Sequence, residues 1–270
     1  MPETTTGARM SAPHQDACAH IWQAWQNGTT IDDLPADLKP GTRAAGYAIQ
    51  AHFEGYSAET RAGWKIAATS RAGQRHINVD GPLAGRLLAE NLRPDGTEIS
   101  INANRMRVAE PEFAFRFAQK VPAKPDLYTV EEVLGFVGDL HLTLELPDSR
   151  FTDFTAVGGP TLIADNACAR ELVVGPKVTA NWRALDLAAH RVRARVGARY
   201  DREGLGANVL GDPREALTWC VNELSQLGID LGAGELITTG TCAPPLESEP
   251  GDVVESDVGQ LGTITAWITT

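Results

Sequence analysis

The chain has 270 residues, 43% of them hydrophobic and 22% charged, which is an ordinary globular composition with length enough to bury a substantial core. A formal net charge of −11 argues against nucleic acid as a partner, because phosphate recognition calls for a basic face. No apolar run approaches the roughly 18 residues of a membrane helix, so no membrane partner is expected either.

The first fifteen residues, MPETTTGARMSAPHQ, lack the apolar stretch of a signal peptide and read as a disordered tail, which makes a cytoplasmic location the expectation. Ala17, Ile21, Trp22 and Trp25 then recur at helical spacing up to Gly28. The polar connection TTIDDLPADLKPG leads to a second helical pattern from about Thr42 to Phe53. From Gly63 the character changes to short alternating segments: GWKIAAT, EFAFRF, HLTLEL, HRVRARV and the closing GDVVESDVGQLGTITAWI. Two helices interrupt them. One is expected near Val130–Leu140, the other over Pro213–Leu227, with Asp212 as N-cap, Pro213 at the first helical position and Gly228 as C-cap. Strands outnumber helices without alternating with them, which indicates the α+β class, with a helical segment over 1–62 and a strand-rich domain over 63–270. Cys18, Cys168, Cys220 and Cys242 form no CxxC pair and read as free thiols. The acidic stretch holding Glu247, Glu249, Asp252, Glu255 and Asp257 reads as solvated hairpin surface.

The segment 109–117, AEPEFAFRF, carries the most chemical information. Strand side chains alternate between faces, so Phe113, Phe115 and Phe117 share one face while Glu110 and Glu112 extend the other. In HLTLEL, Leu142, Leu144 and Leu146 face one way and Glu145 joins Thr143 and His141 on the opposite side. Two such strands paired in register would bring three carboxylates together, an all-oxygen set suited to Mg²⁺ or Mn²⁺. The alternative is an ordinary solvated strand face. Pro111 suggests a strand start or edge. Lys65, flanked by Trp64 and Ile66, is either desolvated, with a lowered pKa suited to proton transfer, or a surface lysine covering Trp64. Asp80 in VDGPLAGRLL has the simplest reading of a turn residue. No GxSxG, P-loop or GxGxxG is present.

A series of stretches together resembles one family: GYAIQ (46–50), GWKIAAT (63–69), VDGPLAGRLL (79–88), AEPEFAF (109–115), LELPDSRFTDF (144–154), IADNA (163–167), GDPREALTWCVNEL (211–224), ITTG (237–240) and PGDVVESDVGQLGTI (250–264). In order and spacing, over roughly residues 40–268, the chain is similar to the 2-keto-4-pentenoate hydratase and 4-oxalocrotonate decarboxylase group of the fumarylacetoacetate hydrolase superfamily. The resemblance implies a mixed β-roll catalytic domain behind a helical N-terminal segment, in a homo-oligomer. It implies that Glu110, Glu112 and Glu145 are metal ligands, that Lys65 and Asp80 are acid and base, and that Asp165, Asn166 and Thr239 line the substrate pocket. Cys168 stands where many of these hydratases carry a serine whose hydroxyl would meet substrate. The implied activity is hydration of a 2-hydroxy-2,4-dienoate. The rivals are decarboxylation of a 2-oxo-enedioate, for which Arg86 or Arg150 could meet the distal carboxylate, and carbon–carbon hydrolysis of an acylpyruvate.

Overall fold

The structure, a computed structural model, describes residues 12–270. The chain opens with helices α1 (Ala12–Asn27) and α2 (Arg43–Gln50), then β1 (Arg61–Ala67), α3 (Arg71–His76), β2 (Leu83–Leu88), β3 (Leu92–Pro94) and β4 (Thr97–Ser100). The middle comprises β5 (Val108–Phe117), α4 (Val130–Phe136), β6 (Val137–Leu146), α5 (Gly159–Ala164) and β7 (Glu171–Lys177). The last part runs through β8 (Arg191–Val196), β9 (Tyr200–Leu205), α6 (Pro213–Gln226), β10 (Leu236–Thr238), β11 (Leu246–Glu247), β12 (Val253–Asp257) and β13 (Thr263–Thr269). Of the expected tail, residues 1–11 lie outside the described residues and 12–15 belong to α1.

One mixed sheet has the order β2-β1-β10-β5-β6-β7-β3, with β11 paired to the start of β5. A second sheet, β4-β13-β12-β8-β9, packs through β13 on β6 and β7. The larger sheet is strongly curled. Leu87 of β2, Ala114 of β5, Leu172 of β7 and Leu236 of β10 form one small buried cluster, although β2 and β7 stand far apart in the strand order. Strand parity puts these residues on the face that carries Glu110, Glu112, Glu145 and Lys65. That face is therefore the inside of a roll, with an apolar floor. The opposite face, with Trp64, Ile66, Phe113, Phe115, Phe117, Leu142, Leu144 and Ile237, is the main core. Ala17, Ile21, Tyr47 and Phe53 join that same core, so the helical segment shares its packing with the roll.

Local signals account for several boundaries. In α6 the Asp212 side chain accepts from Arg214 N at 2.7 Å, Pro213 opens the helix and Gly228 follows its end at φ +72°. Thr129 and Glu132 make a reciprocal capping box at α4. That helix stops at Phe136 rather than near 140, because Val137 and Asp139 pair with Phe117 and Arg116 and the chain is already in β6. The second helical pattern gives α2, then a tighter 3₁₀ turn over Ala51–Gly55. Helices α3 and α5, six residues each, are too short to show a period and were not expected from the sequence.

Pro111 lies inside β5, not at its start. Its carbonyl accepts from Cys242 N at 2.8 Å, so the position of its missing N–H faces the same side. There β10 pairs only with 114–116 and β11 only with 108–109, which leaves a gap in the ladder where proline forfeits no strand bond. The free edge of β2 is sealed by side chains. Ala84 N donates to Tyr47 Oη at 3.1 Å, Gln50 Nε2 donates to Ala84 O at 2.9 Å, and Asn166 spans the peptide groups of Arg86. No helix among the described residues is long and apolar enough to cross a membrane.

Candidate active site

Glu110 of β5 sits directly opposite Glu145 of β6, with Glu112 opposite Thr143 one step along. One carboxylate oxygen from each of Glu110, Glu112 and Glu145 lies within 4.8 Å of the others. These residues do not form a solvated strand face: Glu112 is 4% exposed and Glu145 fully buried, with Glu110 half-buried at the rim. Glu112 Oε2 accepts from Gly240 N at 2.9 Å, while Glu112 Oε1 and Glu145 Oε2 have no partner among the described residues and Glu145 Oε1 has only an ion-pair contact with Lys65. Burial raises all three carboxyls, Glu110 up to about 7 and Glu112 well above the carboxylate range. For Glu110 and Glu112, repulsion from their neighbours in the trio adds to burial, while Lys65 pulls the other way. Orphaned, mutually repelling carboxylate oxygens in a buried pocket fit a hard divalent cation, which would supply what the protein alone does not.

Lys65 projects from β1 into the same interior and is 2% exposed. Its Nζ lies 3.1 Å from Glu145 Oε1 and donates to Ala167 O at 3.1 Å. The expected lowering of its pKa is not what this environment produces. Burial does pull it down, but Glu145, with Glu110 behind it, more than offsets the desolvation and holds the ammonium above its ordinary value.

The other expected site residues divide. Cys168 is buried, with Asp165, Lys65, Glu145 and Glu110 as its charged neighbours, and burial pushes its thiol pKa up. Asn166 has both ends of its amide on the Arg86 backbone, Oδ1 accepting at 2.6 Å and Nδ2 donating at 2.8 Å. Asp165 accepts from Ser149 Oγ at 2.5 Å and from Arg150 N at 3.1 Å, and burial pushes it up to about 7. Thr239 turns its hydroxyl to Phe113 O at 3.1 Å. Its neighbour Thr238 is the threonine in register with Lys65, and Thr238 Oγ1 is buried without a partner among the described residues. Asp80 is exposed between α3 and β2, in a cleft lined also by Arg43, Asn78 and Gly159, and the structure does not bring it to the trio. The two arginines considered for a distal carboxylate are engaged elsewhere. Arg86 lies over Trp64 on the core face, with Glu54 and Gln50 as partners, and Arg150 pairs with Asp148 and stacks on Trp25 at 4.0 Å.

Two contributors were not legible in the sequence: Thr238, since only the β1–β10 register selects it over Thr239, and the Gly240 amide. Gly240 has φ +93°, and a Cβ there would collide with the Thr69 hydroxyl. Gly240→Ala is therefore expected to cost about 1–3 kcal/mol of stability and, by displacing the amide that orients Glu112, to weaken Mg²⁺ binding about 10–100-fold. Thermal melts and calorimetry check this; unchanged Mg²⁺ affinity would remove the amide from the account.

A curled mixed sheet with a buried acidic trio and a facing lysine inside it defines the class of protein. Residues 72–269 match the family described as Fumarylacetoacetate (FAA) hydrolase C-terminal, and the chain belongs to that family. It is 29% identical to the 2-hydroxyhexa-2,4-dienoate hydratase of Comamonas testosteroni over 92% of this chain and 95% of that protein. It is likewise 29% identical to the 2-keto-4-pentenoate hydratase of Paraburkholderia xenovorans, over 93% of each. In fold it is similar to the 4-oxalocrotonate decarboxylase from Pseudomonas putida complexed with magnesium and adipate, with a TM-score of 0.84 and 24% identity over 94% of this chain and 97% of that one.

Proposed function

We propose that this protein is a divalent-metal-dependent hydratase that adds water to a 2-hydroxy-2,4-dienoate of the 2-keto-4-pentenoate type, giving a 4-hydroxy-2-oxoalkanoate. The observation that carries the reading is the buried trio Glu110, Glu112 and Glu145 facing Lys65, joined to the hydratases that the chain matches nearly end to end. The three glutamates would hold Mg²⁺ or Mn²⁺, and when bound the ion supplies a Lewis acid for the negative charge developing on the substrate's C2 oxygen. Homo-oligomeric assembly and a cytoplasmic location belong to the same proposal.

The protein's own groups do the rest. Lys65 Nζ donates to the Ala167 carbonyl and is ion-paired with Glu145, and its three donors leave an N–H of the ammonium for substrate. It moves the proton that turns the dienol into the conjugated enone. Water then adds at the fourth carbon and a proton at the third. Thr238 offers a free hydroxyl beside Lys65, able to hold a water or a substrate oxygen. The floor of Leu87, Leu172 and Leu236 keeps bulk water from that end of the site. Cys168 narrows the wall near Lys65, and Asp165 secures the turn beneath it. Asp80 keeps only the acid–base role that the resemblance implies, because it is exposed in a cleft with Arg43, Asn78 and Gly159 and does not stand beside the trio.

The engagement of Arg86 and Arg150 favours hydration over decarboxylation, which would need a cation for a second carboxylate. Mass spectrometry of 2-hydroxypenta-2,4-dienoate incubated with the Mg²⁺-loaded protein, against a chelated control, tests the reading. The expected product is heavier by one water and metal-dependent. An unchanged dienoate together with CO₂ release from a 2-oxo-enedioate would replace the hydratase with the decarboxylase.

A further inference from the structure

Between α5 and β7 the chain makes an unusual turn. Asn166, Ala167 and Cys168 are consecutive, none is glycine, and all three have left-handed backbones, with φ of +56°, +49° and +62°. L-residues resist this conformation, asparagine least, and it persists only where the surroundings over-determine it. The constraint here is the Asn166 amide. It occupies both peptide groups of Arg86 on the free edge of β2, as a neighbouring strand would. Gly85 makes the approach possible, because a Cβ at that position would collide with the Asn166 carbonyl oxygen. Gly85 is also the residue of β2 in register with Lys65. The turn thus lies directly over Lys65, and its middle carbonyl, Ala167 O, accepts from Lys65 Nζ at 3.1 Å.

We propose that Asn166 is a positioning residue for Lys65: it clamps the left-handed turn to the edge of β2 so that the Ala167 carbonyl fixes the direction of the lysine ammonium. The role rests on the proposed hydratase reading only in so far as Lys65 takes part in the chemistry. Asn166 Oδ1 and Nδ2 are each engaged with the Arg86 backbone, so the role assigned to it here is positional. The device is the turn, and the substrate-facing group is Lys65.

Two variants test this. Asn166→Gly tolerates the left-handed backbone but lacks both hydrogen bonds to Arg86, whereas Asn166→Asp keeps the acceptor for Arg86 N and lacks the donor to Arg86 O. With 2-hydroxypenta-2,4-dienoate and Mg²⁺, Asn166→Gly is expected to lower kcat about a hundredfold, the scale of a small misplacement of a reacting group. KM and Mg²⁺ affinity by calorimetry should stay within about twofold. Asn166→Asp should fall between Asn166→Gly and the parent. In protein labelled at lysine Cε, the Lys65 signal, identified by its absence in Lys65→Met, is expected to show increased side-chain mobility in Asn166→Gly. This arm needs no turnover, so it stands even where the hydratase reading fails. A KM increase matching the loss in kcat/KM, with Lys65 as rigid as in the parent, would make Asn166 a substrate contact and overturn the proposal. Unchanged kcat with unchanged Lys65 mobility would overturn it as well. Should Asn166→Gly not fold, Asn166→Asp carries both readouts.

Discussion

Glu112→Gln is expected to abolish Mg²⁺ binding in calorimetry and to lower metal-dependent turnover on the order of 10³-fold, the scale on which losing a strong electrostatic contact to a developing oxyanion is felt. The substitution is nearly isosteric, and its amide oxygen can still accept from Gly240 N, so the backbone around it has no reason to move. What it removes is a carboxyl whose anion is disfavoured by burial and by its acidic neighbours, in a site where Glu112 Oε1 has no partner among the described residues. The melting temperature of the metal-stripped variant should therefore equal or exceed that of the metal-stripped parent, because a buried repulsion is gone. Loss of function with retained or improved stability is the signature of a functional carboxylate. Full turnover in Glu112→Gln after stripping and reloading with Mg²⁺ would sink the site assignment.

Lys65→Met should act in the opposite direction on stability. The ammonium is the cation nearest Glu145 inside the roll, and its removal leaves three buried carboxylates without that counter-charge. Breaking a buried pair from one side costs about 3–5 kcal/mol, so the metal-free variant should melt well below the parent. Saturating Mg²⁺ should restore much of the loss, because a bound divalent ion replaces the missing positive charge and stabilises by mass action. Turnover should fall about 10²–10⁴-fold even with metal bound, the contribution of a positioned proton donor. Thermal melts with and without Mg²⁺, read beside kcat, separate these effects. A variant that melts like the parent without metal, and turns over within twofold of it, would show that Lys65 is neither counter-ion nor proton carrier.

The chemistry was legible to the extent that it depends on local parity. Alternation in AEPEFAF and HLTLEL separates the glutamates from the Phe and Leu side chains, and the two strands do pair with Glu110 opposite Glu145. The caps of α6 were legible for the same reason, since Asp212, Pro213 and Gly228 act within one turn of the helix end. Errors arose where a neighbour distant in sequence decides the outcome. Desolvation of Lys65 follows from its apolar flanks, but its net shift is set by Glu145 on another strand. The choice between Thr238 and Thr239 depends on which of them faces Lys65 across a parallel pair. Arg86 looked available for substrate, yet its register with Trp64 turns it to the core face.

The sequence by itself determined the alternating faces, the acidic and apolar sets they carry, and the helix ends, because side-chain period and capping act over a few residues. Tertiary structure alone decided that the acidic face is the inside of a roll. That outcome needs β1 beside β10 and β5 beside β6, with the sheet curled until Leu87 and Leu172 share one cluster. It likewise decided that Asn166 clamps an edge strand and that Ala167 O meets Lys65. A strand's pattern states which residues go together. Only pairing among strands far apart in the chain, and the curvature that follows from packing them, determines whether that set faces solvent or encloses a site.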